Sequence, residues 1–109
     1  MRWYDDLYVG ESIVHKTSKI KWKILHNAGQ IDIYVIALAS NSANLLDIIP
    51  AQELMQKAYP KKNLYIVGLA KGYQEAIETA AVIVKDVYEK TGTFAVSSYL
   101  LKKKEEMSG

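Results

Sequence analysis

Two short polar runs carry the groups best suited to holding a ligand: Ser40-Asn41-Ser42-Ala43-Asn44 and Lys71-Gly72-Tyr73. Each follows an apolar stretch that reads as a buried strand, and each precedes a stretch that reads as helical. A helix start offers unpaired N–H groups and the positive end of a dipole, a setting that favours an anion. The side chains of Ser40, Asn41, Ser42 and Asn44 add hydroxyl and amide groups, and Lys71 adds a cation. Gly72 lets a ligand approach the backbone, and Tyr73 offers a flat face or a hydroxyl. The same residue types also serve commonly as helix caps and turns.

Other constellations are weaker. Lys16, Lys19, Lys21 and Lys23, with His15 and His26 nearby, make one stretch strongly basic. A solvated helical face accounts for this as well as an acidic partner does, and the pattern does not point to nucleic acid, since it lacks arginine. His15 and His26 are too far apart on one helix to share a metal. Asp47 is the candidate acid or base for this edge, and a serine nucleophile there lacks a histidine. There is no GxGxxG, no GxxxxGK[ST] and no glycine-flanked serine elbow. No cofactor or metal is therefore implied.

Composition narrows the class further. At 109 residues, half of them hydrophobic and 24% charged, the chain has room for one domain and one core. A net charge of +2 is too mild to signal nucleic acid by itself. Cysteine is absent, which removes thiolate metal sites and cysteine nucleophiles and favours a reducing compartment. Met1 to Asp6 carries two acids where a secretory leader needs basic and then apolar residues. The longest apolar run, Ile33 to Ala39, is far short of the ~20 residues of a membrane span. These features lead us to expect a cytoplasmic protein with no membrane association.

The elements that must position the polar runs follow from periodicity. Met1 to Val9 mixes aromatics and acids without a period and reads as an irregular arm. From Gly10 to Ala28, Ile13, Thr17, Ile20, Ile24 and Ala28 recur at helical spacing, with Gly29 as the stop. Ile31–Ala39, unbroken in apolar character after Asp32, and Leu64–Ala70 read as strands covered on both faces, and Gly68 suggests a close backbone approach. Leu45 to Ala58 reads as a helix interrupted by Pro50. Tyr73 to Lys90 is the clearest helix, with Ile77, Ala80, Ala81, Val84, Val87 and Tyr88 as its core face and Gly92 as its stop. Thr93 to Leu101 reads as a third, edge strand, and residues 102–109 as a solvated tail.

Alternating helices and strands predict a small α/β/α domain, with a three-stranded, mostly parallel sheet in the order 2-1-3 and three helices. This is the start of a doubly wound, Rossmann-like sheet. Parallel strands would bring both polar runs to one carboxyl edge. Three strands leave two open edges, so a homodimer, by sheet extension or helix packing, is the expected state. Eight tyrosines and two tryptophans in so short a chain also favour a partner surface.

Three runs carry a resemblance: Tyr4-Asp5-Asp6-Leu7-Tyr8-Val9-Gly10-Glu11-Ser12, then Ala39-Ser40-Asn41 with Asn44-Leu45-Leu46-Asp47-Ile48, then Ile66-Val67-Gly68-Leu69-Ala70-Lys71-Gly72-Tyr73. In these the chain resembles a group of short, uncharacterised proteins of anaerobic Firmicutes. The resemblance implies a bacterial, cytosolic, stand-alone domain and transfers no activity. The leading expectation is a self-associating α/β module that binds a small anionic ligand at the carboxyl edge of its sheet. One alternative is a small enzyme acting on a phosphorylated or carboxylated metabolite, positioned by Lys71, Asn41 and Ser40. Another is an interaction subunit using the basic first helix.

Overall fold

A computed structural model describes residues 1–39, 44–61 and 63–101. The chain opens with β1 (Arg2–Val9), a 3₁₀ turn (Glu11–Lys16) and α1 (Thr17–Leu25). It continues through β2 (Ile33–Leu38), β3 (Leu46–Pro50), a second 3₁₀ turn (Ala51–Met55), β4 (Tyr65–Lys71) and α2 (Tyr73–Thr91). Residues 96–101 are also helical.

The sheet has four strands in the order β1-β4-β2-β3. Only β1 and β4 run parallel; β2 is antiparallel to both β4 and β3. This corrects the expected three-stranded, mostly parallel sheet of order 2-1-3 and its doubly wound, Rossmann-like topology, although the fold remains mixed α/β. The two long apolar strands are indeed neighbours and are covered on both faces. Val35, Ile36, Ala37, Ile66, Val67, Leu69 and Ala70 have no exposed surface. Continuous apolar character reports coverage of both faces, and here helices provide it around an antiparallel central pair.

One core joins Ile13, Ile20 and Ile24 to Val35, Ala37, Ile49, Ile66 and Leu69. The other joins Tyr4, Ile36, Tyr65 and Val67 to Ile83, Val87, Val96 and Leu100. Strand alternation would send Ile66 and Leu69 to opposite faces. They share one because the β2–β4 register slips between Ile36 and Ala37, which face Gly68 and Ile66. At that irregularity a Cβ on Gly68 would lie 3.0 Å from the Tyr8 carbonyl oxygen, so the expected close approach is by the β1 backbone.

Three further expectations change. Residues 1–9 form a strand: Trp3 pairs with Ile66 and Tyr8 with Gly68, so β1 bows out between them and hides its period. Leu45–Ala58 is a strand and a 3₁₀ turn, because Pro50 ends β3 at a sheet margin, where its missing N–H costs nothing. The third strand expected at Thr93–Leu101 is helical over 96–101, with Val96 and Leu100, four apart, both buried. The tail expected at 102–109 lies outside the described residues.

Helix ends are mostly where glycine or asparagine permits. α2 stops at Gly92, in the left-handed region at φ 73°. After α1 the chain turns at Asn27 (φ 54°), two residues before Gly29. There the Ala28 N–H reaches the Lys23 carbonyl at 2.8 Å and the Asn27 N–H the Ile24 carbonyl at 3.3 Å, a Schellman closure. α2 is tied to β1 by the Tyr8 hydroxyl, which donates to Asp86 Oδ2 at 2.5 Å, while Lys90 Nζ donates to the same oxygen at 3.0 Å. Burial and the neighbouring Asp86 push the Tyr8 phenol well above the usual tyrosine range.

Candidate anion-binding pocket

Antiparallel pairing separates the two polar runs. Lys71, at the end of β4, pairs with Ile33 at the start of β2, whereas Leu38, at the end of β2, pairs with Leu46. The loops after β2 and β4 therefore leave from opposite ends of the sheet. Ser40, Asn41 and Ser42 lie outside the described residues. Asn44 leads into β3, not into a helix, and sits beside the later turns of α2 with Ala81, Val84 and Tyr88. Asp47, the acid of the enzyme reading, is also on β3 and lines a cleft with Arg2, Tyr59 and Ser97.

Lys71, Gly72 and Tyr73 do stay together. Gly72 caps α2 at φ 81°, and its N–H donates to the Asp32 carbonyl at 2.6 Å. Tyr73 is 58% exposed and sits edge-on to Tyr34, with ring centroids 5.8 Å apart. The loop that meets this one follows β1, the strand parallel to β4. Here the anion position is already filled by the protein itself. The Glu75 carboxylate accepts the Lys71 N–H at 2.9 Å, the Ser12 hydroxyl at 2.8 Å and the Ser12 N–H at 3.3 Å. Burial disfavours ionisation of Glu75, but these hydrogen bonds and the Lys71 charge outweigh it and hold the carboxyl below its ordinary value. The dipole of α2 favours an acid at this position; its closure of the two loops is not legible in the sequence, because Ser12 is 63 residues away.

The open basic site lies just beside this plug. Lys16, which ends the 3₁₀ turn and caps α1, and Lys19 and Lys23 on α1 converge with Lys71 from β4. Their cleft measures 400 Å³ and is floored by Ile13, Ile20 and Ile33, with Gly29, Gln30 and the exposed Ile31 at its rim. Gln30 anchors that rim, donating through Nε2 to the Ile20 carbonyl at 3.3 Å and accepting at its own carbonyl from Gln52 at 3.3 Å. Among the described residues the close ion pairs found are Lys85–Glu89 and Lys90–Asp86, both on α2, and of the four lysines Lys71 feels the nearby Glu75 carboxylate. Like charges gathered in a cleft with low-dielectric walls focus a positive potential into it.

The sequence alone separates these lysines, leaving Lys16, Lys19 and Lys23 open to a solvated face or an acidic partner and placing Lys71 at a sheet edge. The missing signal was the return of the chain after Asn27, which places Gly29 to Ile33 against α1. Next to this row on α1, Trp22 is 56% exposed and stacks on His26 at 4.1 Å, while Lys21 lies 5.0 Å from the Trp3 ring centroid. Comparison of the chain with protein-family models, with curated proteins and with solved structures finds no match.

Proposed function

We propose that this protein binds a small anionic ligand, with a phosphate or carboxylate group held by Lys16, Lys19, Lys23 and Lys71 and a less polar body against the isoleucine floor. The convergence of four lysines in one 400 Å³ cleft carries the reading. That volume is in the range of small-molecule sites, and an apolar lining with a few convergent polar groups is their usual make-up. Among the described residues lining the cleft there is no carboxylate, histidine or hydroxyl to act as acid, base or nucleophile. This favours binding over catalysis. Because Lys16, Lys19 and Lys23 line a concavity and not only an outer face, a small ligand suits them better than a flat protein partner. No described helix is long and apolar enough to cross a membrane. A cytosolic setting and self-association complete the reading, the first supported by the lack of cysteine.

Thermal-shift titration with phosphorylated and carboxylated small molecules tests the site. A ligand at 100 times its Kd stabilises the folded state by ~2.7 kcal/mol. The shift is expected to weaken with added salt and to be lost in Lys19→Ala/Lys23→Ala. A panel without any shift, or shifts that the double variant retains, would remove the proposal.

A further inference from the structure

α2 was expected to bury Ile77, Ala80, Ala81, Val84, Val87 and Tyr88, and of these only Val87 is fully inside. The helix instead buries Ala76, Thr79, Ile83 and Val87, with the Thr79 hydroxyl satisfied by the Glu75 carbonyl at 2.8 Å. The remaining apolar stripe is left on one flank. Ile77 is 42% exposed, Tyr88 48% and Tyr73 58%, and Phe94, 56% exposed, stacks on Tyr88 at 4.9 Å. This flank runs beside β3. Tyr73 meets Tyr34, which pairs with Pro50 at one end of β3, while Val84 and Tyr88 share a 670 Å³ groove with Leu45 and Leu46 at the other. In the sheet order β3 is an end strand, hydrogen-bonded on one side to β2.

A largely apolar helix flank, with Lys85 at the edge of its groove, and an end strand thus lie side by side along the same margin. Each is a recognised association hazard by itself. A single partner covers both when it supplies a strand and an apolar helix flank in the same relative placement. A second copy has that form. A twofold axis normal to the sheet, passing beside β3, pairs the two β3 strands antiparallel and keeps both α2 helices on the same face. Their flanks then close over the seam. Aromatic rings of roughly 150–250 Å² each, half exposed at Tyr73, Tyr88 and Phe94, together with Ile77 and Leu45, give roughly 450 Å² of apolar surface per copy. A stable interface buries about 800 Å² per partner, so this patch supplies more than half of it and the strand edge the rest.

We propose that a second copy of this chain docks on the α2 flank and the outer edge of β3, giving a twofold dimer with a continuous eight-stranded sheet. The proposal rests on the self-association in the functional reading and names its surface; the lysine cleft plays no part in it. Sedimentation equilibrium of the full chain, with variants at exposed positions so that folding is spared, tests it. The wild type is expected to dimerise. Ile77→Lys and Tyr88→Lys should each weaken the dimer roughly tenfold or more, with unchanged helical circular dichroism. Val82→Lys, on the opposite flank and 55% exposed, should leave it intact. Amide exchange at Leu46 and Ile48 should slow as concentration rises. A monomer at all concentrations would overturn both self-association and this surface. A dimer indifferent to Ile77→Lys and Tyr88→Lys, or broken by Val82→Lys, would overturn the surface alone.

Discussion

The carboxylate of Glu75 lies against the α-carbon of Gly10, in the space that any side chain at that position would occupy. From there it reaches the backbone of both Lys71 and Ser12, so one acid on the first turn of α2 joins the ends of the two parallel strands. Gly10 has an ordinary extended backbone (φ −61°, ψ 145°), and only this contact makes glycine necessary. Gly10→Ala should therefore cost about as much as Glu75→Ala, roughly 1–2 kcal/mol for hydrogen bonds lost at a half-exposed site. The two costs should not add. In the Glu75→Ala background, Gly10→Ala should be nearly neutral in urea unfolding, and full additivity would show that the contact carries no energy.

The same carboxylate sets an acid limb. Its folded-state pKa is lowered, so its contribution to stability is fully present above the unfolded value, about 4.3, and is lost as pH falls through the folded value. Glu75→Gln keeps the acceptor oxygen and removes the charge. The variant should lose less stability than wild type between pH 5 and pH 3, by ~1 kcal/mol at most because solvent screens the site. Parallel acid-unfolding curves for the two proteins would assign the acid limb to other groups.

Apolar runs made coverage legible and left direction hidden. Ile33–Ala39 and Leu64–Ala70 announced themselves as strands buried on both faces, and β2 and β4 are neighbours buried on both faces. Their antiparallel relation depends on β3 returning as a hairpin, and Leu46–Pro50 was masked by the helical spacing of the longer stretch around it. Lys71, read from the sequence as a site residue, lines the basic cleft. The partners given to it were drawn from the wrong end of the sheet, because strand direction decides which loops meet. In α2 the spacing identified a helix correctly but showed two overlapping apolar stripes, and only tertiary packing tells which one turns inward.

At the other end of the pH scale, the Tyr8–Asp86 pair is the sensitive group. Burial first, and then the hydrogen bond to Asp86, raise the Tyr8 pKa, so its contribution persists below the unfolded value of about 10 and is lost as pH rises beyond it. Tyr8→Phe should lower stability at pH 7 by ~1 kcal/mol, the net worth of one hydrogen bond, and flatten the alkaline decline. An unchanged slope above pH 10 in the phenylalanine variant would show that the linkage lies elsewhere.

Gly68 sits where three strands meet, and its neighbours have little room to yield. An added methyl would face the Tyr8 carbonyl oxygen at 3.0 Å and Ile36 Cδ1 at 3.2 Å. The first is backbone in β1 and the second is a fully buried side chain. Gly68→Ala should cost about 1–3 kcal/mol, as overpacking in a core does. Gly29→Ala makes the matching control, because a Cβ there meets nothing within 4 Å. Equal unfolding midpoints for the two alanine variants would refute the close approach of β1 to β4.

Lys19 offers a way to separate stability from binding in the same measurement. Four ammonium groups around one cleft repel each other when no anion is present, so the site carries a standing electrostatic cost. Lys19→Gln removes one charge while keeping much of the aliphatic stem that lies beside Ile20. Without ligand, the variant should be as stable as wild type or more so, by up to ~0.5 kcal/mol, the scale of a surface substitution. With a phosphorylated ligand the order should reverse, because wild type gains more from binding. A solvated face with no ligand role predicts the first effect without the second. Melting curves of both proteins, with and without the best ligand and at low and high salt, distinguish the two. Loss of stability in the ligand-free variant would mean that Lys19 has a counter-charge, and that the cleft is a structural salt link and not a binding site.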